Sequence, residues 1–193
     1  MKAPIQKIRD LDHGDLQKSG FWVSQVFVVL ATIIGVYLAA NAGLEQAIRF
    51  DNIKAQEQNY YLQASLHDEL QDNTSLLRRY VDEVLKRNPD DLKAQHPALS
   101  EFIWETMRYS PATFETPSEF LNASRRFYAD TTDIIEKAEN RFYGASHAAK
   151  LLTAVLDRME QGTLPKLKEN YETLGQSLSA EGVDINLLKE EQR

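Results

Sequence analysis

The 193-residue chain contains no cysteine. Disulfide staples, thiolate zinc sites and a cysteine nucleophile are therefore excluded, because each requires thiols. Glycine and proline are scarce, at 8 and 6 residues, which excludes collagen-like and Pro/Gly-rich disordered chains. No GxGxxG or GxxxxGK(S/T) phosphate loop and no GxSxG nucleophile elbow occurs, so the motif-borne chemistries of nucleotide binding and serine hydrolysis have no foothold. The four histidines, His13, His67, His96 and His147, are never three or four residues apart, which removes the zincin and helical di-iron patterns. They read as surface positions. Acidic pairs such as Asp68-Glu69, Asp82-Glu83 and Asp90-Asp91 read as solvated helix faces, since neighbours on a helix point in different directions. No metal, cofactor or catalytic residue is expected.

Charge is biased to one sign. The chain carries 22 Lys+Arg against 29 Asp+Glu, a net charge of −7. Residues 44–193 hold 18 and 26 of these, a net charge of −8, which repels a phosphate backbone and argues against nucleic acid as a partner. The mean hydropathy of −0.46 describes an ordinary soluble domain, but the apolar residues are unevenly spread. Residues 21–43 read FWVSQVFVVLATIIGVYLAANAG, without one charge, over about the length a helix needs to cross a ~30 Å hydrocarbon core. A transmembrane helix is predicted there. Lys2, Lys7, Arg9 and Lys18 precede it and only Arg49 and Lys54 follow closely, so residues 1–20 are expected to form a cytoplasmic tail. In a bacterium the remainder then lies in the periplasm, beyond the inner membrane. Ala31, Gly35 and Ala39 recur every four residues on one helical face, where small side chains permit close helix approach, and Gln25 adds a polar group able to bond across such an interface.

Residues 44–180 are expected to be a helical extracytoplasmic domain. Leu66, Leu70, Leu77, Tyr80 and Val84 follow three- and four-residue steps, with Asn73 at one polar seam position. Pro89 stops this helix. Thr116-Pro117-Ser118-Glu119 has the form of a capping box. It opens a seam running from Leu121 through Tyr128, Ile135, Phe142, Ala149 and Leu156 to Met159. Residues 44–87 and 117–161 have nearly equal lengths, about 65 Å each at 1.5 Å per residue. They are expected to pair as an antiparallel hairpin, with 88–116 as its distal tip. Gly162 and Pro165 mark an end and a restart, after which Leu164, Leu167, Tyr171, Leu174 and Leu178 give a short third helix. Residues 181–193 form a polar C-terminal tail. The fold class is thus all-α: one transmembrane helix followed by an elongated antiparallel hairpin or bundle.

The expected tip gathers Phe102, Ile103, Trp104, Met107, Tyr109 and Phe114. Aromatic and methionine side chains are enriched in interface cores, which makes Phe102, Trp104, Tyr109 and Phe114 a candidate partner surface. In architecture alone, a helical hairpin beside a membrane anchor resembles the sensory module of bacterial chemoreceptors. No sequence motif carries that resemblance, and residues 179–193 hold no second apolar span such as those receptors possess, so no family is assigned. The function expected from the residues is that of a non-enzymatic, single-pass accessory or scaffolding subunit of a membrane protein assembly. Its partners would be the lipid bilayer and another membrane protein or a second copy. The alternative is a periplasmic sensory or ligand-binding module that works with a separate signalling partner.

Overall fold

The computed structural model describes residues 19–185. The tail cations on which the predicted orientation rests, and residues 186–193, lie outside that range. Among the described residues all regular structure is helical. The chain divides into two compact units, Met1–Phe50 and Asp51–Arg193. Helix α1 (Ser19–Tyr80) supplies residues to both.

In the first unit the uncharged stretch is helical throughout. It belongs to a helix long and apolar enough to cross a membrane, near the N-terminus. Its apolar side chains are bare: Trp22, Phe27, Ile33, Ile34, Val36 and Leu38 are all exposed. Water would penalise such a surface by about 25 cal/mol per Å². Thr32 turns its hydroxyl inward, donating to the Val28 carbonyl at 2.8 Å, so it presents no unmet donor. Exposed apolar positions continue past residue 43 with Leu44, Ile48 and Phe50.

The second unit is a bundle of three long helical segments. α1 passes at its end into a π-helical turn (Val81–Leu85), and α2 (Phe102–Met107) lies between two short 3-10 turns, Lys93–Gln95 and Pro111–Glu115. Helix α3 (Ser118–Glu139) and helix α4 (Ala145–Arg158) follow, and a second π-helical turn (Met159–Thr163) leads into α5 (Leu164–Ala180). Leu66, Leu70 and Leu77 from α1, Phe127 and Ile135 from α3, and Leu152, Leu156 and Leu167 from the last segment share one core. Burying each such side chain contributes roughly 1.5–3 kcal/mol.

The direction of these helices differs from the predicted hairpin. Thr116 before α3 bonds Asn59, Tyr128 within it bonds Glu69 and Asn73, and Arg141 after it bonds Asn88. The sequence separations stay between 53 and 59, so α1 and α3 run parallel. The antiparallel partner of α1 is instead the last segment: Arg78 meets Glu160 at a separation of 82, and Gln63 meets Asn170 at 107. Residues 88–116 are consequently not a distal tip. They travel back along α1, pairing Ser100 with Asn73, Ile103 with Glu69 and Glu115 with Asn59. Equal lengths of two apolar stripes do not distinguish parallel from antiparallel packing, and the return of the connection settles it here.

The predicted second arm is also two helices. The chain turns over between Asn140 and Gly144, where Arg141 takes φ +59° and Tyr143 donates its amide back to the Lys137 carbonyl at 3.0 Å. Phe142, placed in the seam by its spacing, is 75% exposed on this turn. The two halves of the seam therefore face each other across an α3/α4 hairpin, with Arg158 3.6 Å from Asp130. Gly162 and Pro165, conversely, do not break the helix. Buried Met159 and Leu164 stand five residues apart. A regular α-helix would rotate that step off the seam, whereas the π-type bond from the Leu164 amide to the Met159 carbonyl retains it. The wider turn also suits Pro165, which has no N–H to donate.

Candidate functional site

Polar side chains line the core of the bundle at two levels. At one, Glu69 is buried and its carboxylate accepts four hydrogen bonds: from Ser100 Oγ at 3.2 Å, the Ile103 amide at 2.7 Å, the Trp104 amide at 3.0 Å and Tyr128 Oη at 2.8 Å. The two amides are free donors at the start of α2, so Glu69 caps that helix from another element. Asn73 completes the level, donating to the Ser100 carbonyl at 2.6 Å and to Tyr128 Oη at 3.2 Å and accepting from the Ser100 amide at 2.9 Å. Burial, then the hydrogen bond and charge of Glu69, hold the Tyr128 hydroxyl protonated far above its ordinary range, against a smaller lowering by Asn73. Sequence spacing concealed this level. Glu69 belongs to an acidic pair read as solvated, yet only Asp68 is exposed.

At the other level Asn59 accepts from Thr116 Oγ1 at 3.0 Å and from Gln63 Nε2 at 3.0 Å, and Gln63 in turn accepts from Asn170 Nδ2 at 2.6 Å. Thr116, predicted as a helix cap, is thus spent on α1. The first α3 position is Ser118, preceded by Pro117 with no side-chain cap. These groups are satisfied donors and acceptors that fix direction and register, a use buried polar residues have in helical cores. Among the described residues no group of three or more His, Asp or Glu side chains is arranged to hold a metal ion.

His13 lies outside the described residues, and of the other three histidines one differs from the predicted surface role. His67 is buried, with Nδ1 3.1 Å from Asp68 and its ring edge-on to Tyr171. His96 is exposed and bonds Glu139 at 2.6 Å, while exposed His147 packs on Tyr143.

The candidate partner residues separate into two kinds. Phe102, Tyr109 and Phe114 are 74%, 87% and 93% exposed. Trp104 packs against the core, stacked on Tyr128 with ring centroids 5.9 Å apart, and so belongs to the fold. In the first unit Gln25, Ala31, Gly35 and Ala39 are all exposed. A Cβ added at Gly35 would meet nothing within 4 Å, which leaves that face open to close approach. Compared with protein-family models, with curated proteins and with solved structures, the chain matches none.

Proposed function

We propose that the chain is a single-pass, membrane-anchored accessory or scaffolding subunit of a membrane protein assembly. The observation that carries this reading is the uncharged helical stretch of residues 21–43, whose large apolar side chains are exposed and which lipid would cover. Two surfaces would serve the assembly. The Ala31, Gly35 and Ala39 face, with Gln25, would pack on another membrane helix. Phe102, Tyr109 and Phe114 would dock a protein partner, since exposed aromatic side chains supply much of the binding energy of interface cores. The Lys and Arg excess before the span supports an N-terminus in the cytoplasm, with the bundle outside it, across a bacterial inner membrane. The role is one of contact and not of catalysis.

Gly35→Cys supplies the test, because a chain without cysteine gives a single reporter. The full chain should stay in membranes after alkaline carbonate washing, and bismaleimide should join position 35 to a second polypeptide. A cysteine at exposed Gln176 should react with a membrane-impermeant maleimide on intact spheroplasts. Release by carbonate, or a chain that remains monomeric and uncrosslinked in gentle detergent, would refute the proposal.

A further inference from the structure

A groove of about 510 Å³ lies between the turn after α1 and the first two turns of α4. That volume falls within the range of small-molecule sites, about 300–1,000 Å³. Its floor is apolar, made by Val81, Leu85 and Ala149, each of which is otherwise buried in the bundle core. Its rim is cationic: Lys86 and Lys150 line it and no carboxylate does, in a chain of net charge −7. Lys86 is already held by Asp82 at 2.6 Å. Lys150 makes no ion pair or hydrogen bond among the described residues. Ser146, which also lines the groove, stands one turn before Lys150 and therefore on the same face of α4. One hydroxyl-bearing and one ammonium-bearing residue thus line the same groove beside an apolar floor.

The smaller cavity between α3 and α4, about 170 Å³, contrasts with it. There a carboxylate shares the wall with the cations: Asp130 lies 3.6 Å from Arg158 and lines the cavity beside Arg126.

From the free cation, the adjacent donor and the apolar floor we infer that this groove is a binding site for a small organic anion. The ligand class is a monocarboxylate with a compact apolar body. The carboxylate would lie between Lys150 Nζ and Ser146 Oγ, and the body would cover Val81, Leu85 and Ala149. This site is separate from the proposed membrane and aromatic contact surfaces and does not depend on them.

The test uses the full chain in lipid nanodiscs with 4-fluorobenzoate as the probe, followed by fluorine NMR. Saturable broadening should appear with the native chain and survive Lys150→Arg. Lys150→Glu should weaken binding by at least about tenfold, equivalent to roughly 1.4 kcal/mol, and Ser146→Trp should abolish it by filling the mouth. Both positions are exposed, and circular dichroism of each variant verifies that the bundle is retained. 4-Fluorobenzyl alcohol, which lacks the charge, should give no saturable response. The inference is overturned if the native chain gives no saturation, if Lys150→Glu binds as the native chain does, or if the alcohol binds as well as the acid. Competition by an acidic peptide without competition by the carboxylate would also overturn it, because the occupant would then be a protein segment.

Discussion

Arg141 and Asn88, the non-glycine residues with positive φ among those described, are joined side chain to side chain by a hydrogen bond of 3.1 Å. The same guanidinium reaches the carbonyls of Pro89 at 2.7 Å and Asp90 at 2.5 Å. Two chain reversals are tied together, and Arg141 itself bears a backbone angle that L-residues adopt at a cost of about 1 kcal/mol or more. Arg141→Ala keeps the strained angle and removes the bonds, so thermal or urea melting of the full chain in mild detergent should register a loss of about 2 kcal/mol. Arg141→Gly removes the same bonds but relieves the angle, and should recover about 1 kcal/mol of it. Equal stability of the two variants would mean that the angle is not under strain.

Glu69 and Tyr128 should prove coupled. Glu69→Gln places an amide N–H₂ among donors that need an acceptor, with an expected cost of about 2–3 kcal/mol. Tyr128→Phe should cost about 1–1.5 kcal/mol. The double variant should lose less than the sum of the two, since Tyr128 is one of the four donors that Glu69 satisfies. Strict additivity in a melting series would show that the two residues act separately.

Tyr80 gives the bundle an alkaline limit. Its hydroxyl is buried with no hydrogen-bond partner among the described residues, and burial, assisted by the charge of Glu139, pushes its pKa up to about 12. The unfolded chain releases this proton near pH 10. The contribution is therefore complete below pH 10 and lost as pH rises from 10 towards 12, by up to about 3 kcal/mol. Tyr80→Phe should lessen the decline between pH 10 and 12, leaving the part owed to Tyr128, and should leave stability at pH 7 unchanged or slightly higher, because it deletes an unpaired buried group. An unaltered alkaline slope in Tyr80→Phe would contradict this.

Gly175 and Gly162 should respond in opposite senses to alanine. A Cβ at Gly175 would stand 3.0 Å from both Tyr60 Cε2 and Ile185 Cδ1, and the Tyr60 ring is fixed edge-on against Tyr61 and Tyr171. Gly175→Ala should therefore cost about 1–3 kcal/mol through overpacking. A Cβ at Gly162 would meet nothing within 4 Å, so Gly162→Ala should stabilise the helical segment by about 0.5–1 kcal/mol. Paired melting curves decide the matter.

The exposed aromatics should separate binding from folding. Ser substitutions at Phe102, Tyr109 and Phe114 should each leave stability within about 0.5 kcal/mol while reducing recovery of a co-purifying partner. Trp104→Ala should cost about 3 kcal/mol, because its ring fills space against Tyr128. If the three Ser variants melt like the native chain and retrieve every partner equally, the docking role of this face fails.

Much of the fold was legible. The uncharged stretch, the helical periodicity of α1, α3 and α5, and the stop at Pro89 all follow from side-chain pattern and proline chemistry. The turn at Asn140–Gly144 carried its own signal, a helix-terminating Asn followed by Gly four residues on, but the apolar step through Phe142 suggested continuity. Helix direction was not legible, since it rests on long-range pairs such as Gln63 with Asn170. Neither was the groove, because Lys86 and Lys150 are 64 positions apart in sequence and only the antiparallel packing of α4 on the end of α1 brings them to one rim.

The parallel course of α1 and α3 also constrains the order in which the bundle can assemble during synthesis. Glu69 emerges from the ribosome 59 residues before Tyr128, and Gln63 emerges 107 residues before Asn170. An antiparallel hairpin could have zipped outward from a single turn, with each new pair close to the last. Here the first helix must wait for its long-range polar partners until the return segment and α3 have both been made, and Gln63 meets Asn170 only once α5 has followed. Contacts of such sequence span close slowly, so the inward face of α1 stays uncovered in the nascent chain until its own later helices arrive.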